Sequence, residues 1–329
     1  MTMTYFLSGD IGGTKTLLRI SATLQEREPL RQKSFASGAY AGLADIVDEF
    51  LAEAGIRNIS SACFALAGSV DGRSVKLTNL PWVVDGDALA ARFGIGHVAL
   101  INDFEAVGYG VAALQAGDLL TLQDGNEQAG EVRLVVGAGT GLGVAWLSSQ
   151  NGTYNVHPSE GGHMDFAPAD DTQGLLLRYL QHRYGHVSYE RIVSGPGLIT
   201  IFDFMRDTGL ASPSAQLLDA MKQGDAAAAI TLFSQRSDEA IARMVVDLFL
   251  SVYGAFVGNA ALVALPRGGI YVAGGIAAKI SGQIKTSEFL NAFLSKGRFA
   301  GLLATLPLHI VLNANIGLMG ANLYAHRPE

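Results

Sequence analysis

The chain has 329 residues, of which 49% are hydrophobic and 16% are charged. This length and composition provide for two domains with large buried cores and exclude an intrinsically disordered chain. The net charge of −7 argues against nonspecific nucleic-acid binding, which needs a basic surface. This net charge is compatible with an anionic ligand, because backbone N–H groups bind phosphate without net positive charge.

Cys63 is the only cysteine, and it lies in the apolar run 62–66. A single cysteine forms no intrachain disulfide and offers no Cys-rich zinc site. We therefore predict that Cys63 is a small buried hydrophobic residue. The first ten residues contain no basic region, so we do not expect a signal peptide. We expect a cytoplasmic location.

The uncharged segment 248–265 is long enough for a short transmembrane span, and it contains a GxxxG spacing at 254–258. However, Arg243 and Asp247 precede it, and Asn259 lies inside it. Small residues also allow close helix packing in other proteins. We therefore predict a buried central helix and no membrane partner.

The N-terminal part reads as a strand at 5–9, a glycine turn at 12–13 and a second strand at 17–20. Apolar residues at helical spacing then predict an amphipathic helix at 39–55, and short apolar runs predict buried strands at 61–66 and 98–101. Both runs end at polar or glycine-rich residues. Ligands of open α/β sheets bind at such carboxyl ends of strands.

A similar strand–turn–strand unit begins at residue 132, with strands at 132–136 and 144–147 around the glycine-rich segment 137–143. The remainder is mainly helical, with further predicted strands. Helices are predicted at 171–184, 195–208, 214–222, 237–265 and 316–326, and strands at 269–273 and 308–312.

The two glycine turns are candidate phosphate sites, because successive N–H groups in such turns form an anion-binding concavity. The first comprises Gly9, Asp10, Gly12, Gly13 and Thr14, and the second comprises Gly139, Thr140 and Gly141. Each threonine adds a hydroxyl donor, and the Asp10 carboxylate is suited to hold a hydrated Mg²⁺. Each turn alone is equally consistent with an ordinary hairpin. Neither is a GxxxxGK[ST] P-loop, and neither opens a helix as a dinucleotide GxGxxG does.

Two further segments carry candidate residues. Gly274 and Gly275 join a strand to a helix that starts near Ile276, which is either a nucleotide contact or a simple turn. Asn102 and Asp103 end a buried strand. Asp103 is suited to accept the proton of an attacking hydroxyl in phosphoryl transfer, and it is equally suited to cap the following helix.

Glu160 and His163 flank two glycines, and Glu190 follows in the segment 188–191. A metal site at Glu160, His163 and Asp165 is disfavoured, because catalytic zinc prefers several His or Cys ligands. Carboxylates and imidazoles also hydrogen-bond sugar hydroxyls, and this is the favoured interpretation. The segment 188–191 is also compatible with a helix start that carries a surface glutamate.

These motifs together resemble the bacterial glucokinases of the sugar kinase/Hsp70/actin superfamily. The similarity covers nearly the whole chain, and the motifs occur in the family's order. They are GDIGGT (9–14), TN and Trp82 (78–82), INDF (101–104), GAGTGLGVA (137–145), EGGHMDFAP (160–168), ERIVSGPGL (190–198) and AGGI (273–276). Lys15 stands where many close relatives have Asn and where the related ROK kinases often have Lys. The Cys-rich zinc motif of ROK proteins is absent from the sequence.

The resemblance implies an α/β fold of two actin-like (ribonuclease H-like) domains flanking a ligand cleft, with a small domain of 1–110 plus about 300–329 and a large domain of 111–299. It implies that Asn102, Asp103, Glu160, His163 and Glu190 hold glucose, with Asp103 as general base. It places the phosphates of ATP at the two glycine turns and adenosine near Gly274 and Gly275. It also implies Mg²⁺ and a homodimer.

Three other functions remain open at this point. The same polar residues suit a kinase for another hexose or an amino sugar. A non-catalytic sugar sensor on the same fold ranks lower, since the candidate base is present. An actin- or Hsp70-like ATPase is disfavoured by the polar cluster at 160–163.

Overall fold

The computed structural model describes residues 4–23, 29–236, 238–285 and 288–327. The strands, in chain order, are β1 (Tyr5–Ile11), β2 (Lys15–Ser21), β3 (Arg31–Ala36), β4 (Ile59–Leu66), β5 (Gly68–Asp71), β6 (Ser74–Leu77), β7 (Val83–Asp85), β8 (His97–Asn102), β9 (Leu119–Gln123), β10 (Arg133–Ala138), β11 (Leu142–Gln150), β12 (Thr153–Ser159), β13 (Ile270–Ala273) and β14 (Leu308–Val311). The helices are α1 (Leu43–Ala54), α2 (Gly86–Phe93), α3 (Asp103–Gly110), α4 (Asp171–Tyr184), α5 (Gly195–Asp207), α6 (Ala215–Gln223), α7 (Ala226–Phe233), α8 (Ala240–Ala264), α9 (Gly275–Lys279), α10 (Ser281–Ile284), α11 (Phe289–Leu294), α12 (Ala300–Leu303) and α13 (Ile316–Ala325).

The chain divides into two compact units, each with a hydrophobic core of its own. Over the described residues, unit 1 consists of the chain up to Ala116, Thr153–Pro158 and the chain from Asn313 onward. Unit 2 consists of Gly117–Gly152 and Ser159–Leu312. The boundaries implied by the family resemblance are 110 and about 300, and they do not include the short insertion at 153–158.

The sheet of unit 1 has the order β3-β2-β1-β4-β8. Strands β1, β4 and β8 are parallel, whereas β2 is antiparallel to both β1 and β3. Ile11 pairs with Leu66, and Leu66 pairs with Asn102. The ends of these three parallel strands are therefore in one row, and this row brings the segments at Asp10 and Asp103 to the same edge of the sheet.

Unit 2 repeats this pattern with β11, β10, β13 and β14 in adjacent positions. Strands β10 and β11 form an antiparallel hairpin, and β10, β13 and β14 are parallel to one another. The two glycine turns thus occupy equivalent positions, each joining the first two strands of its unit. The weak sequence similarity between residues 9–14 and 137–143 reflects this structural repeat.

Helix α8 is the core helix of unit 2, and 72% of its most apolar stretch is buried inside the protein. A Cβ at Gly254 would collide with the carbonyl of Phe289, and one at Gly258 would lie 2.6 Å from the carbonyl oxygen of Phe293. The GxxxG spacing therefore serves the close packing of α8 against α11. The prediction of a buried central helix is confirmed, although its proposed first residue, 237, lies outside the described residues.

Most predicted elements are present, with shifts of a few residues at their ends. Helix α1 begins at Leu43, since 37–39 form a 3-10 turn instead, and it ends at Ala54, where Gly55 caps it with a φ of 66°. Sequence patterns did not predict β3, β9, β12, the small β5-β6-β7 sheet, α2, α7, α10, α11 or α12. The strands β3, β9 and β12 are only partly buried, so their apolar signal is weak. Cys63 is buried and free, as predicted.

Candidate active site

The first glycine turn lies between β1 and β2 in unit 1. The Gly12 N–H closes the turn by donating to the carbonyl of Lys15 at 2.9 Å, and the Ser37 hydroxyl donates to the carbonyl of Gly12 at 2.8 Å. The N–H groups of Gly13 and Thr14 have no hydrogen-bond acceptor among the described residues, so they are available to an anion. This turn therefore offers two donors rather than a donor at every residue.

The glycines of both turns have negative φ angles, so the turns do not require glycine for its backbone freedom. At Gly13 the requirement is space. A Cβ at Gly13 would lie 2.7 Å from the Cβ of Asn79, which packs on the turn. Gly9 is a different case, because it is buried within β1, where Leu18 and Phe64 would each lie 2.8 Å from an added Cβ. Packing inside the sheet accounts for Gly9, and the structure does not bring it to the turn.

Asp10 and Asp103 interact electrostatically in unit 1. Burial, followed by the negative charge of Asp103, raises the pKa of Asp10 to about 6, and Lys15 opposes this shift. An added Cβ at Gly317, near the start of α13, would lie 3.2 Å from Oδ2 of Asp10, so the helix approaches the carboxylate closely. Two neighbouring carboxylates, of which Asp10 has the raised pKa, form a site in which a cation would be stabilised.

Asn102, and not Asp103, caps helix α3. Its Oδ1 accepts from the N–H groups of Phe104 at 2.9 Å and Glu105 at 3.2 Å, and its Nδ2 donates to the carbonyl of Gly68 at 3.2 Å. The interpretation of Asp103 as the helix cap is therefore wrong, because the preceding residue holds that position. Asp103 is the first residue of α3, and its Oδ1 accepts from the adjacent N–H of Phe104 at 2.8 Å.

The second glycine turn lies between β10 and β11 in unit 2. The Gly139 N–H closes it by donating to the carbonyl of Gly141 at 2.8 Å. A Cβ at Gly139 would meet no atom within 4 Å, so this glycine faces open space. In contrast, a Cβ at Gly141 would lie 2.5 Å from Oε2 of Glu190. The turn is therefore open at its first glycine and closely covered by a carboxylate at its last.

Glu190 connects this turn to the polar cluster of unit 2. Its Oε2 accepts from the N–H of Leu142 at 2.9 Å, while its Oε1 lies 3.9 Å from Nδ1 of His163. Nε2 of His163 lies 3.9 Å from Oε2 of Glu160. Glu160 is 87% exposed and Glu190 only 31% exposed, so Glu190 is the anchored member and Glu160 the free one.

The backbone explains why the motif around His163 contains two glycines. A Cβ at Gly162 would collide with the carbonyl of Leu142, and the 3-10 turn Gly161–His163 packs on β11 at this point. The Tyr189 N–H donates to the carbonyl of Met164 at 3.0 Å. This bond holds the segment after His163 beside the segment of Glu190, which forms a 3-10 turn rather than the start of an α-helix.

A cavity of about 400 Å³ adjoins the second turn and is lined by residues of unit 2 alone. Gly139, Thr140 and Gly275 belong to its lining, together with apolar side chains of α5, α7 and α9. Gly274 has a φ of 90°, and its Cβ would collide with the carbonyl of Ala138, so only glycine fits there. Gly275 faces open space.

Among the described residues, no group of three or more His, Cys, Asp or Glu side chains is arranged to hold a metal ion. Glu160, His163 and Asp165 do not form such a group. Asp165 instead lies 2.7 Å from Nε2 of His186. The paired oxygens of Asp10 and Asp103 fit a hard cation such as Mg²⁺, which takes one or two carboxylates and completes its shell with water and phosphate.

Comparison with known proteins supports the sequence resemblance. The family model for glucokinase matches residues 7–328. The chain belongs to the glucokinase family. The glucokinase of a Nostoc species is 44% identical over 341 aligned positions, which cover 99% of this chain and all of the relative. The glucokinase of a Synechocystis species is 40% identical, with 97% of each chain covered. The predicted family and enzyme class are confirmed.

Solved structures support the fold. A glucokinase from an Antarctic psychrotroph has a TM-score of 0.83 and 26% identity, with 98% of both chains covered. A ROK-family glucokinase from Streptomyces griseus, solved with glucose and AMPPNP, has a TM-score of 0.68, 20% identity and coverage of 98% of this chain and all of that chain. The predicted α/β, actin-like fold class is confirmed.

Within unit 1 the structure thus brings together Asp10, Asp103 and the first turn, and within unit 2 it brings together the second turn, Glu190 and His163. Sequence patterns did not indicate the contact of Asn79 with Gly13, the position of Gly317 beside Asp10, or the presence of Asp225 and Lys279 in the cavity lining. The TN motif at 78–79 was the available signal for Asn79. The other contacts join residues far apart in the chain and leave no local pattern.

Proposed function

We propose that this chain transfers the γ-phosphoryl group of ATP to a hydroxyl of glucose, with Asp103 as the general base. The family relationship supports the overall reaction. The observation that supports the role of Asp103 is its place directly after β8, near Asp10 and in the unit of the first glycine turn. Asn102, and not Asp103, caps helix α3. A carboxylate so placed is suited to accept the hydroxyl proton during transfer.

The residues proposed to bind glucose are Asn102, Asp103, Glu160, His163 and Glu190. Glu190 and His163 form a mixed acceptor and donor set that is held in place by the second turn, and sugar hydroxyls need both kinds of partner. Asn102 uses its amide oxygen for the cap, so we propose that its remaining amide N–H donates to the sugar.

We propose that ATP binds with its phosphates at the N–H groups of Gly13, Thr14, Thr140 and Gly141 and with its adenosine in the cavity beside Gly275. Asp10 would hold Mg²⁺ through water, and a bound Mg²⁺ neutralises charge on the phosphates. We also propose that units 1 and 2 are the two domains of the fold, that the protein is a cytoplasmic homodimer, and that it acts in glycolysis.

The test of the base is the Asp103→Asn variant. It keeps the shape of the side chain but removes the proton acceptor, so kcat should fall by at least about 10²-fold with little change in the KM for glucose. Coupled measurement of ADP release gives both values. Asp87→Asn is the matched control, because Asp87 also lies in the first turn of a helix. Near-normal turnover of Asp103→Asn would remove Asp103 from this role.

The choice of sugar is tested separately, with a panel of glucose, other hexoses and amino sugars compared by kcat/KM. Glucose should be the preferred substrate. ADP release that does not depend on any sugar would indicate a simple ATPase instead.

A further inference from the structure

The cavity of unit 2 contains a carboxylate to which the proposed reaction gives no role. Asp225 lines this cavity together with Gly139 and Thr140 of the second turn. Among the described residues that line the cavity, it is the only one with negative charge, and Lys279 is the only one with positive charge. A negative group in a cavity proposed for a polyanionic nucleotide is unfavourable unless it makes a specific contact.

The position of the Asp225 side chain is fixed by helix α7. Asp225 is the N-cap of this helix, and its Oδ1 accepts from the N–H of Ala228 at 3.1 Å. Its Oδ2 has no hydrogen-bond donor among the described residues. Ala227, Ala228 and Thr231 of the same helix also line the cavity. The cap thus orients a carboxylate that has a spare acceptor oxygen at the cavity wall.

An ionised carboxylate only accepts hydrogen bonds, so its partner on the ligand must be a donor. Adenosine offers two kinds of donor, the 2′- and 3′-hydroxyls of the ribose and the 6-amino group of the base. The 6-amino group is flanked by ring nitrogens with lone pairs, which a carboxylate would repel. The ribose diol presents two adjacent donors without such repulsion.

The rest of the lining is consistent with this division. Leu198, Ile199, Ile276 and Ile280 supply apolar walls, which suit the faces of a purine rather than a sugar. An acidic side chain that accepts from a ribose hydroxyl is also the established solution in dinucleotide-binding folds, which are built differently.

We propose that Asp225 binds the ribose hydroxyls of the nucleotide and thereby makes the enzyme select ribonucleotides over deoxyribonucleotides. This inference rests on the proposed use of ATP. It concerns nucleotide selection and not the transfer step.

The test compares kcat/KM for ATP, 2′-deoxy-ATP and 3′-deoxy-ATP in the wild type and in Asp225→Ser, which keeps a capping oxygen but withdraws the carboxylate. The wild type should prefer ATP over at least one deoxy analogue by about tenfold or more, as expected for a hydrogen bond to a charged group. In Asp225→Ser the kcat/KM for ATP should fall to that for the discriminated deoxy analogue, while the kcat/KM for that analogue stays unchanged.

Asp85→Ser is the matched control, since Asp85 caps α2 through the N–H of Ala88 at 2.8 Å in the same way and does not line the cavity. This variant should retain the wild-type preference. Asp225→Asn, which keeps both the cap and the side-chain size, provides a second variant, and it should weaken the preference. Thermal melting of all three variants reports their folding.

Three results would overturn the inference. The wild type could fail to distinguish the three nucleotides, Asp225→Ser could keep the preference for ATP, or Asp225→Ser could lose kcat/KM equally for all three nucleotides. Inosine triphosphate, which has the same ribose as ATP but lacks the 6-amino group, is measured as well. If Asp225→Ser lost discrimination against inosine triphosphate only, Asp225 would be assigned to the base. Failure of the proposed function is a separate result, namely a wild type that releases no ADP from ATP in the presence of glucose.

Discussion

At the scale of single residues, the glycines of the motifs are required mainly by the room that their neighbours occupy. Gly13 makes room for Asn79, Gly141 for the carboxylate of Glu190, and Gly162 for the carbonyl of Leu142. Gly274 alone among the motif glycines also needs a positive φ. Gly139 differs from all of these, because an added methyl group would project into open space beside the cavity.

This contrast predicts opposite effects of two alanine substitutions in one turn. Gly141→Ala would place a Cβ 2.5 Å from Oε2 of Glu190 and displace the carboxylate from the N–H of Leu142. The KM for glucose should rise by about tenfold or more, since a charge-assisted hydrogen bond is lost. Gly139→Ala should leave the KM for glucose unchanged and raise the KM for ATP. Steady-state kinetics with each substrate varied separately would measure both effects, and identical profiles for the two variants would contradict this assignment.

The sequence predicted which residues are candidates for the site, but it did not predict the structural role of each one. Asn102 and Asp103 are adjacent, and both are favourable helix caps, so only the coordinates show that Asn102 holds the cap. Likewise, the sequence indicated a polar role for Glu190 but not its bond to Leu142, which is 48 residues away. Contacts of this kind depend on the tertiary fold, which local patterns do not encode.

At the scale of elements, helix α3 is positioned by an unusually close contact with α13. A Cβ at Gly320 would collide with the carbonyl of Ala106, and one at Gly110 would collide with the carbonyl of Ile316. Helix α3 begins with Asp103, and Gly317 of α13 lies beside Asp10. The packing of these two glycine-containing helices therefore determines where both carboxylates lie.

Gly320→Ala should consequently reduce both stability and turnover. Overpacking of this kind typically costs about 1–3 kcal/mol, and relief of the collision requires α3 to move together with Asp103. The kcat should fall more than the KM for glucose rises. Gly174→Ala is the control, because Gly174 lies in helix α4 with its nearest neighbour 4.0 Å from the added Cβ. That variant should be as stable as the wild type or more stable by up to about 1 kcal/mol. Urea unfolding and kinetics would measure these effects, and a fully active Gly320→Ala would contradict the proposed positioning.

Sequence patterns predicted the long helices and the central strands well, since apolar periodicity is strongest there. Helix α4 has the predicted bounds, and α5 ends one residue earlier than predicted. The edge strands β3 and β9 were missed because they are only partly buried and therefore carry a weak apolar signal. Helix α7 was missed because its alanine-rich start shows no clear amphipathic pattern, and this omission also hid Asp225 from the sequence analysis.

At the scale of the whole molecule, the two units repeat one design, a glycine hairpin followed by two parallel strands. In each unit the first parallel strand leads into the glycine turn, and the proposed site residues lie near this turn. In unit 1 these side chains are Asp10 and Asp103, and in unit 2 the second turn is instead joined to Glu190 and His163. The two units share a backbone pattern but differ in side chains. The motifs at 9–14 and 137–143 are therefore only weakly similar in sequence, although they occupy equivalent structural positions.

The single cysteine provides a measurement of the integrity of unit 1. Cys63 lies fully buried in β4, and burial raises the pKa of its thiol well above the ordinary value. Because the thiolate is the reactive species, a thiol reagent such as DTNB should label the native protein only as fast as unit 1 opens, and one thiol per chain should react in denaturant. The double variant Cys63→Ser/Ser295→Cys is the control, and it should react at once because position 295 is exposed.

If glucose binds to Asn102 and Asp103, saturating glucose should slow the labelling of Cys63 without affecting the control. The reason is that a ligand that binds only the folded state lowers the population of open molecules by a factor of 1 + [L]/Kd. Rapid labelling of native Cys63 would show that β4 opens locally, and labelling that glucose leaves unchanged would argue against sugar binding by unit 1.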